Sequence, residues 1–206
     1  MSDSVAVHRT RSTVSIPGIT AILLVGMAGC IDSKQPLCDP REALIDAELH
    51  GTWIWKDSGV QNDEWTIRPA GTGFPKGVLR VDIVEDGKPQ SLLCFATKIQ
   101  DDRYLNIVNT QDDAVPKAWD PKLVTSYTLV RYAVRDSTLI ITMLNSDFLT
   151  SSIRSGKIAG ANSKDGNRME LTATPEELRA FFSQHRADVV SGDTESATRK
   201  AAPRTQ

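Results

Sequence analysis

Histidine and cysteine are scarce in this chain, with three of each among 206 residues. Metal centres and Ser/His or Cys/His catalysis draw on clusters of imidazole and thiolate groups, and His8, His50 and His185 lie too far apart in sequence to announce one. Also missing are a GxSxG elbow, a glycine-rich phosphate loop closed by Lys, an HExxH pair and a CxxC pair. Paired carboxylates occur as sequence neighbours, Asp101-Asp102 and Asp112-Asp113. Neighbours on a strand point to opposite faces, whereas glycosidic hydrolysis needs two acids facing each other across a substrate. Asp165-Gly166-Asn167 lacks the alternating oxygen ligands of a calcium loop and reads as a turn. The expectation is a protein that is not an enzyme, with no catalytic residue, no metal and no cofactor. An excess of one charge is missing too: 24 basic residues face 26 acidic ones, and no Lys/Arg run occurs. That balance argues against nucleic acid as a partner. Aromatic residues make up 6% of the chain, so four tryptophans stand out.

Long uncharged runs are equally rare, and the longest lies between Arg11 and Asp32. Arg9 and Arg11 precede it, Ile19 to Val25 form its apolar centre, and it ends Leu24-Val25-Gly26-Met27-Ala28-Gly29-Cys30. This arrangement resembles the signal peptide and lipobox of bacterial lipoprotein precursors. The resemblance implies export, cleavage between Gly29 and Cys30, a diacylglycerol thioether on Cys30, and an acyl chain such as palmitate on the new amino group. Met27 stands where Leu is usual, and Pro17-Gly18 interrupts the apolar run. An uncleaved anchor is the other reading, but the run barely spans roughly 30 Å of hydrocarbon and its first part is rich in Ser and Thr. The expected location is the bacterial cell envelope, facing the periplasm, with the lipid bilayer as a partner through the acyl anchor. Ile31 in place of Asp implies, by resemblance to enterobacterial sorting, the outer rather than the inner membrane. Cleavage removes Arg9, Arg11 and Asp3, leaving the mature chain one unit more negative than the precursor's −2.

The organisation expected after the signal peptide (1–29) is a lipidated cysteine and spacer (30–40), a β domain (41–190) and a disordered tail (191–206). Pro36, Pro40 and a lack of period mark the spacer, and small polar residues mark the tail. A helix is expected from Asp39 to Gly51, where Ala43, Leu44, Ala47 and Leu49 recur at helical intervals. From Gly51 the period is two. Strands are expected over 51–56, 65–68, 78–84, 91–99, 104–108, 125–134 and 138–144, followed by a short pair at 157–161 and 168–173. Asn145 caps a helix that carries Phe148, Leu149 and Ile153. Thr174-Pro175-Glu176-Glu177 is a capping box, and it sets Leu178, Phe181, Phe182 and His185 on one helix face. Cys38 and Cys94 sit in a chain placed by resemblance in an oxidising compartment. They either pair, which would remove about 4 kcal/mol of unfolded-state freedom, or stay as buried thiols.

Gly51-Thr52-Trp53, heading the first strand after a short helix, resembles the GxW motif of lipocalins. The resemblance implies that Trp53 closes the barrel bottom against an arginine from a late strand. A wider likeness runs through Asp39-Pro40-Arg41-Glu42, Leu49-His50-Gly51-Thr52-Trp53, Arg103-Tyr104-Leu105-Asn106, Tyr127-Thr128-Leu129-Val130-Arg131-Tyr132 and Thr172 to Phe181. It is similar to uncharacterised bacterial envelope lipoproteins of lipocalin-like shape. The fold expected is mainly β: a lipocalin-like antiparallel barrel or strongly curved sheet of about eight to ten strands with one or two packed helices. The function expected is a non-catalytic binding module for a lipid or other small hydrophobic ligand, with Trp53 and Trp55 as barrel-core or ligand-lining residues. The alternative is a structural or assembly partner in the envelope, with a filled barrel and no ligand.

Overall fold

A computed structural model describes residues 31–201 apart from 56–62, 86, 112–113, 164–165 and 167. The signal peptide, the lipobox and Cys30 lie outside the described residues, as does Asp112-Asp113. Strands β1 (Asp32–Ser33), β2 (Gly51–Trp55), β3 (Asp63–Pro69), β4 (Val78–Glu85), β5 (Lys88–Ile99), β6 (Asp102–Thr110), β7 (Val124–Arg135) and β8 (Thr138–Leu144) precede helix α1 (Ser146–Arg154). Then come β9 (Gly160–Asn162), β10 (Met169–Leu171), α2 (Pro175–Gln184) and β11 (Val190–Arg199). The sheet order β6-β5-β4-β3-β2-β11-β8-β7 closes on itself because β7 also pairs with β6. Every pairing in that ring is antiparallel. The result is an eight-stranded lipocalin-like barrel, and closure leaves its wall without a free edge.

The period-two pattern then sorts side chains into two cores. Inward positions include Trp53 and Trp55 of β2, Leu79, Val81 and Ile83 of β4, Cys94 and Ala96 of β5, and Leu105 and Ile107 of β6. The outward positions of β5, β6 and β7, among them Leu93, Phe95, Tyr104 and Leu129, are apolar as well. Such a wall must be covered on its outside. Leu149 and Ile153 of α1 and Leu178, Phe181 and Phe182 of α2 cover it. Asn145 accepts from the Phe148 N–H to start α1, and the Thr174–Glu177 capping box starts α2. His185 ends α2 with its ring 4.7 Å from Phe181 and 5.5 Å from Phe148.

Three expectations are corrected. Residues 191–199 of the expected disordered tail belong instead to β11, which pairs with β2 on one side and β8 on the other, and 202–206 lie outside the described residues. Only Ala197 of its outer half is buried, so backbone hydrogen bonds rather than apolar side chains carry the strand. Residues 31–40 are not a spacer. Asp32–Ser33 pairs with β7 and with β10, Ile31, Leu37 and Cys38 are buried in the outer core, and the Leu37 N–H donates to Asn106 Oδ1 at 2.7 Å. Finally, the helix expected before Gly51 is two 3-10 turns, Pro40–Glu42 and Ala47–Leu49. Asp39 and Asp46 each accept from the N–H two residues on, a local bond that competes with helix propagation. Between the turns Leu44 donates to Ala96 O of β5 at 2.9 Å.

Candidate functional site

The barrel interior has a closed end and an open end. At the closed end the Ala47–Leu49 turn plugs the barrel, and Asp46, which caps that turn, is a buried carboxylate. Tyr132 Oη donates to Asp46 Oδ2 at 2.7 Å and Arg103 Nη1 donates to the same oxygen at 2.8 Å. Burial pushes the Tyr132 phenol well above its ordinary range, and the Asp46 carboxylate adds to the shift. The phenol therefore stays a proton donor to Asp46. Arg103 also meets Glu48 at 2.6 Å and lies 5.3 Å from the Tyr132 ring centre, so the plug is tied to β6 and β7.

Trp53, fully buried, completes this end. Its Nε1 donates to Leu49 O at 2.9 Å, and the Arg199 guanidinium of β11 lies 4.3 Å from its ring centre. Arg199 further donates to the carbonyls of His50 and Glu48, satisfying groups the turn leaves open. Gly51 makes room for this. It holds φ +134°, and a Cβ there would stand 3.1 Å from Arg199 Nη1. The Gly-x-Trp spacing thus has a physical cause, and the late-strand arginine that the resemblance implied is Arg199. Sequence reasoning could not single it out while its strand read as a tail.

Trp55, two residues along the same face, meets a different environment. Its ring lies 4.6 Å from that of Trp65, yet its buried Nε1 has no hydrogen-bond partner among the described residues. Around it the register brings Trp65 of β3, Leu92 of β5 and Met143 of β8 to the inner face. All three are only partly buried although they point inward. Polar groups share this level: Asn109 Nδ2 donates to Ser126 Oγ at 3.0 Å and Thr128 Oγ1 at 3.1 Å, and Thr128 donates to Asp32 Oδ1 at 2.9 Å. The open end thus combines inward-facing apolar side chains with a polar side.

The remaining sequence candidates separate. Cys38 and Cys94 are both free and buried, so the pairing left open from sequence does not form. Cys94 faces the barrel interior, whereas Cys38 lies in the outer core with Sγ 2.9 Å from Thr97 Oγ1. The β5 wall stands between them. Burial pushes the Cys94 thiol up to about 12 and raises that of Cys38, which keeps both protonated. Among the described residues no group of three or more His, Cys, Asp or Glu side chains is placed to hold a metal ion. Comparison with protein-family models, with curated proteins and with solved structures finds no match.

Proposed function

We propose that this protein is an envelope lipoprotein, anchored through Cys30 and facing the periplasm, that binds a small hydrophobic ligand in the open end of its barrel without transforming it. The observation that carries the binding reading is the unpartnered Trp55 Nε1 beside inward-facing Trp65, Leu92 and Met143, which are only partly buried, at the open end. Small barrels hold one ligand in a cup lined mainly by apolar and aromatic side chains. The competing reading, a filled barrel serving as an assembly partner, calls for an exposed apolar patch. Among the described residues the exposed large apolar side chains are Ile45, between the two 3-10 turns, and Val84 of β4.

The anchor reading rests on the lipobox resemblance. It acquires a geometric consequence from Ile31, which is already buried: a lipid on Cys30 would adjoin the folded domain with no slack. A barrel held that close to a bilayer suits a ligand drawn from it, a lipid or another hydrophobic molecule. Native mass spectrometry of the full-length protein extracted from membranes tests both parts. The expected result is a mature chain beginning at an acylated Cys30 with a co-purified apolar small molecule. A chain starting elsewhere without acyl mass overturns the anchor, and failure to bind any hydrophobic probe overturns the cup.

A further inference from the structure

A second concavity lies outside the barrel. A groove of about 680 Å³ opens between residues 35–42, the segment before β7 and the start of α2. Its walls include Pro36, Pro40, Pro75, Pro121 and Pro175, half of the ten prolines in the chain. They come from four separate stretches of sequence, and each ring fixes its own backbone, so the walls are preorganised. The groove is also lined by Trp119 and Tyr127, which both pack edge-on against Phe95, at 6.3 Å and 6.0 Å between ring centres.

Two polar atoms here are unused. Tyr127 is 7% exposed, and its hydroxyl makes no hydrogen bond among the described residues. Burial, with a smaller contribution from Asp39, pushes this phenol up to about 12, so it remains a neutral donor. The indole N–H of Trp119 likewise has no partner among the described residues, while its backbone N–H is spent on Gly73 O at 3.0 Å. Neither atom is sealed from solvent, so each is available to donate to a group that enters the groove. At the rim Arg41 is paired with Asp39 at 2.7 Å and Arg179 with Glu176 at 3.5 Å. Glu42 has no ion pair among the described residues, which leaves the surplus charge negative.

Flat rings for walls, two free donors on those rings, and a surplus carboxylate at the rim define the complementary partner. A polyproline II segment has no internal hydrogen bonds and presents unpaired carbonyls along its length at about 3.1 Å rise per residue. Its proline rings supply no N–H that would compete, and grooves lined by aromatic rings recognise it elsewhere. We propose that this groove docks a proline-rich peptide segment in that conformation, its carbonyls accepting from Tyr127 and Trp119 and a flanking basic residue meeting Glu42. The inference is independent of the barrel ligand and of the anchor.

The test uses the full-length protein in detergent and a synthetic peptide of eight prolines flanked by arginines, followed by calorimetric titration. Saturable binding below roughly 1 mM is expected, together with no saturable binding of the same peptide carrying alanines for prolines. Tyr127→Phe should weaken binding about fivefold while leaving thermal stability unchanged, since the hydroxyl has no partner within the chain. Glu42→Gln should weaken binding and flatten its salt dependence. Equal binding of the alanine peptide, unaltered affinity in Tyr127→Phe, or no saturation up to that concentration each overturns the proposal.

Discussion

Trp53 and Trp55 stand two residues apart on one face of one strand, and the barrel treats them differently. Trp53 donates to Leu49 O and lies under Arg199, in a plug where Asp46, Arg103 and Tyr132 use one another's donors and acceptors. Trp55 keeps a buried N–H with no partner among the described residues, beside inward-facing side chains that are only partly buried. A closed end with matched polar groups supplies stability and needs nothing else. On the proposed binding reading, an open end with an unmatched donor and partly buried apolar side chains holds interactions in reserve for a ligand.

The largest effect should come from removing the strand that joins both ends. Deleting residues 190–206 takes away β11, exposes the edges of β2 and β8 and removes Arg199, so the chain should lose its cooperative unfolding transition. Deleting 201–206 alone should leave that transition unchanged. Circular dichroism melts of both truncations separate a barrel strand from a dispensable tail. Next in size, Trp53→Ala should cost about 3–5 kcal/mol in urea unfolding, as large aromatic truncations in cores do. Trp55→Ala should cost less and weaken binding of a hydrophobic fluorescent probe. A sharper pair is Trp53→Phe, expected to cost about 1–3 kcal/mol because it strands the Leu49 carbonyl, against Trp55→Phe, expected to be neutral or stabilising because it deletes an unpaired donor. Equal losses for the two phenylalanine variants would break the distinction between the ends.

The same comparison shows what the sequence made legible. Leu79 to Ile83 alternates apolar and charged residues, and its strand, its inward face and its hairpin to β5 follow from that pattern. Thr174-Pro175-Glu176-Glu177 marks α2 just as well, because the capping box is written in side chains. β11 left no such trace. Thr194, Glu195 and Ser196 are exposed, so the strand exists through the backbone groups of β2 and β8, which no residue pattern encodes. Residues 31–40 were illegible for a related reason. Ile31, Leu37 and Cys38 are buried at irregular intervals, held by Asn106, whose amide donates to Phe95 O and Thr97 Oγ1 while its oxygen accepts from Leu37. Of the site, the Gly-x-Trp motif pointed to Trp53. The contrast with Trp55 depends on what each indole N–H meets, and that emerges only in three dimensions.

The cysteines extend the comparison across the wall. With Cys94 inside and Cys38 outside, both buried and both protonated, neither thiol should react with iodoacetamide at pH 8 in the folded protein, and both should react in denaturant. Reductant should leave the melting temperature where it is. A reductant-sensitive melt, or a missing thiol in denaturant, would mean that the two are linked after all and that the inner and outer faces of β5 are wrongly assigned.

The smallest effect should appear on the polar outer wall, and there pH is the probe. Asp82 of β4 meets Arg80 at 2.6 Å and Arg68 at 2.8 Å and accepts from Ser91 Oγ at 2.7 Å. Burial alone would raise its carboxyl, but the hydrogen bonds from Ser91, Arg80 and Arg68 outweigh burial and hold it at about 2. A carboxyl bound below its unfolded value favours the folded state once it is ionised, so its contribution is complete above about pH 4 and fades as pH falls toward 2. Asp82→Asn should therefore lower stability modestly at pH 7 and progressively less as pH falls through about 2, the two proteins' unfolding curves converging below that pH. Salt should shrink the gap at pH 7, since the partners are partly exposed and surface ion pairs are screened. Asp46→Asn at the closed end should cost more than Asp82→Asn at pH 7 and respond less to salt, because Asp46 is buried beneath the plug. If the two variants lose equal stability with equal salt sensitivity, Asp46 is no better shielded than a surface carboxylate and the closed end is not sealed.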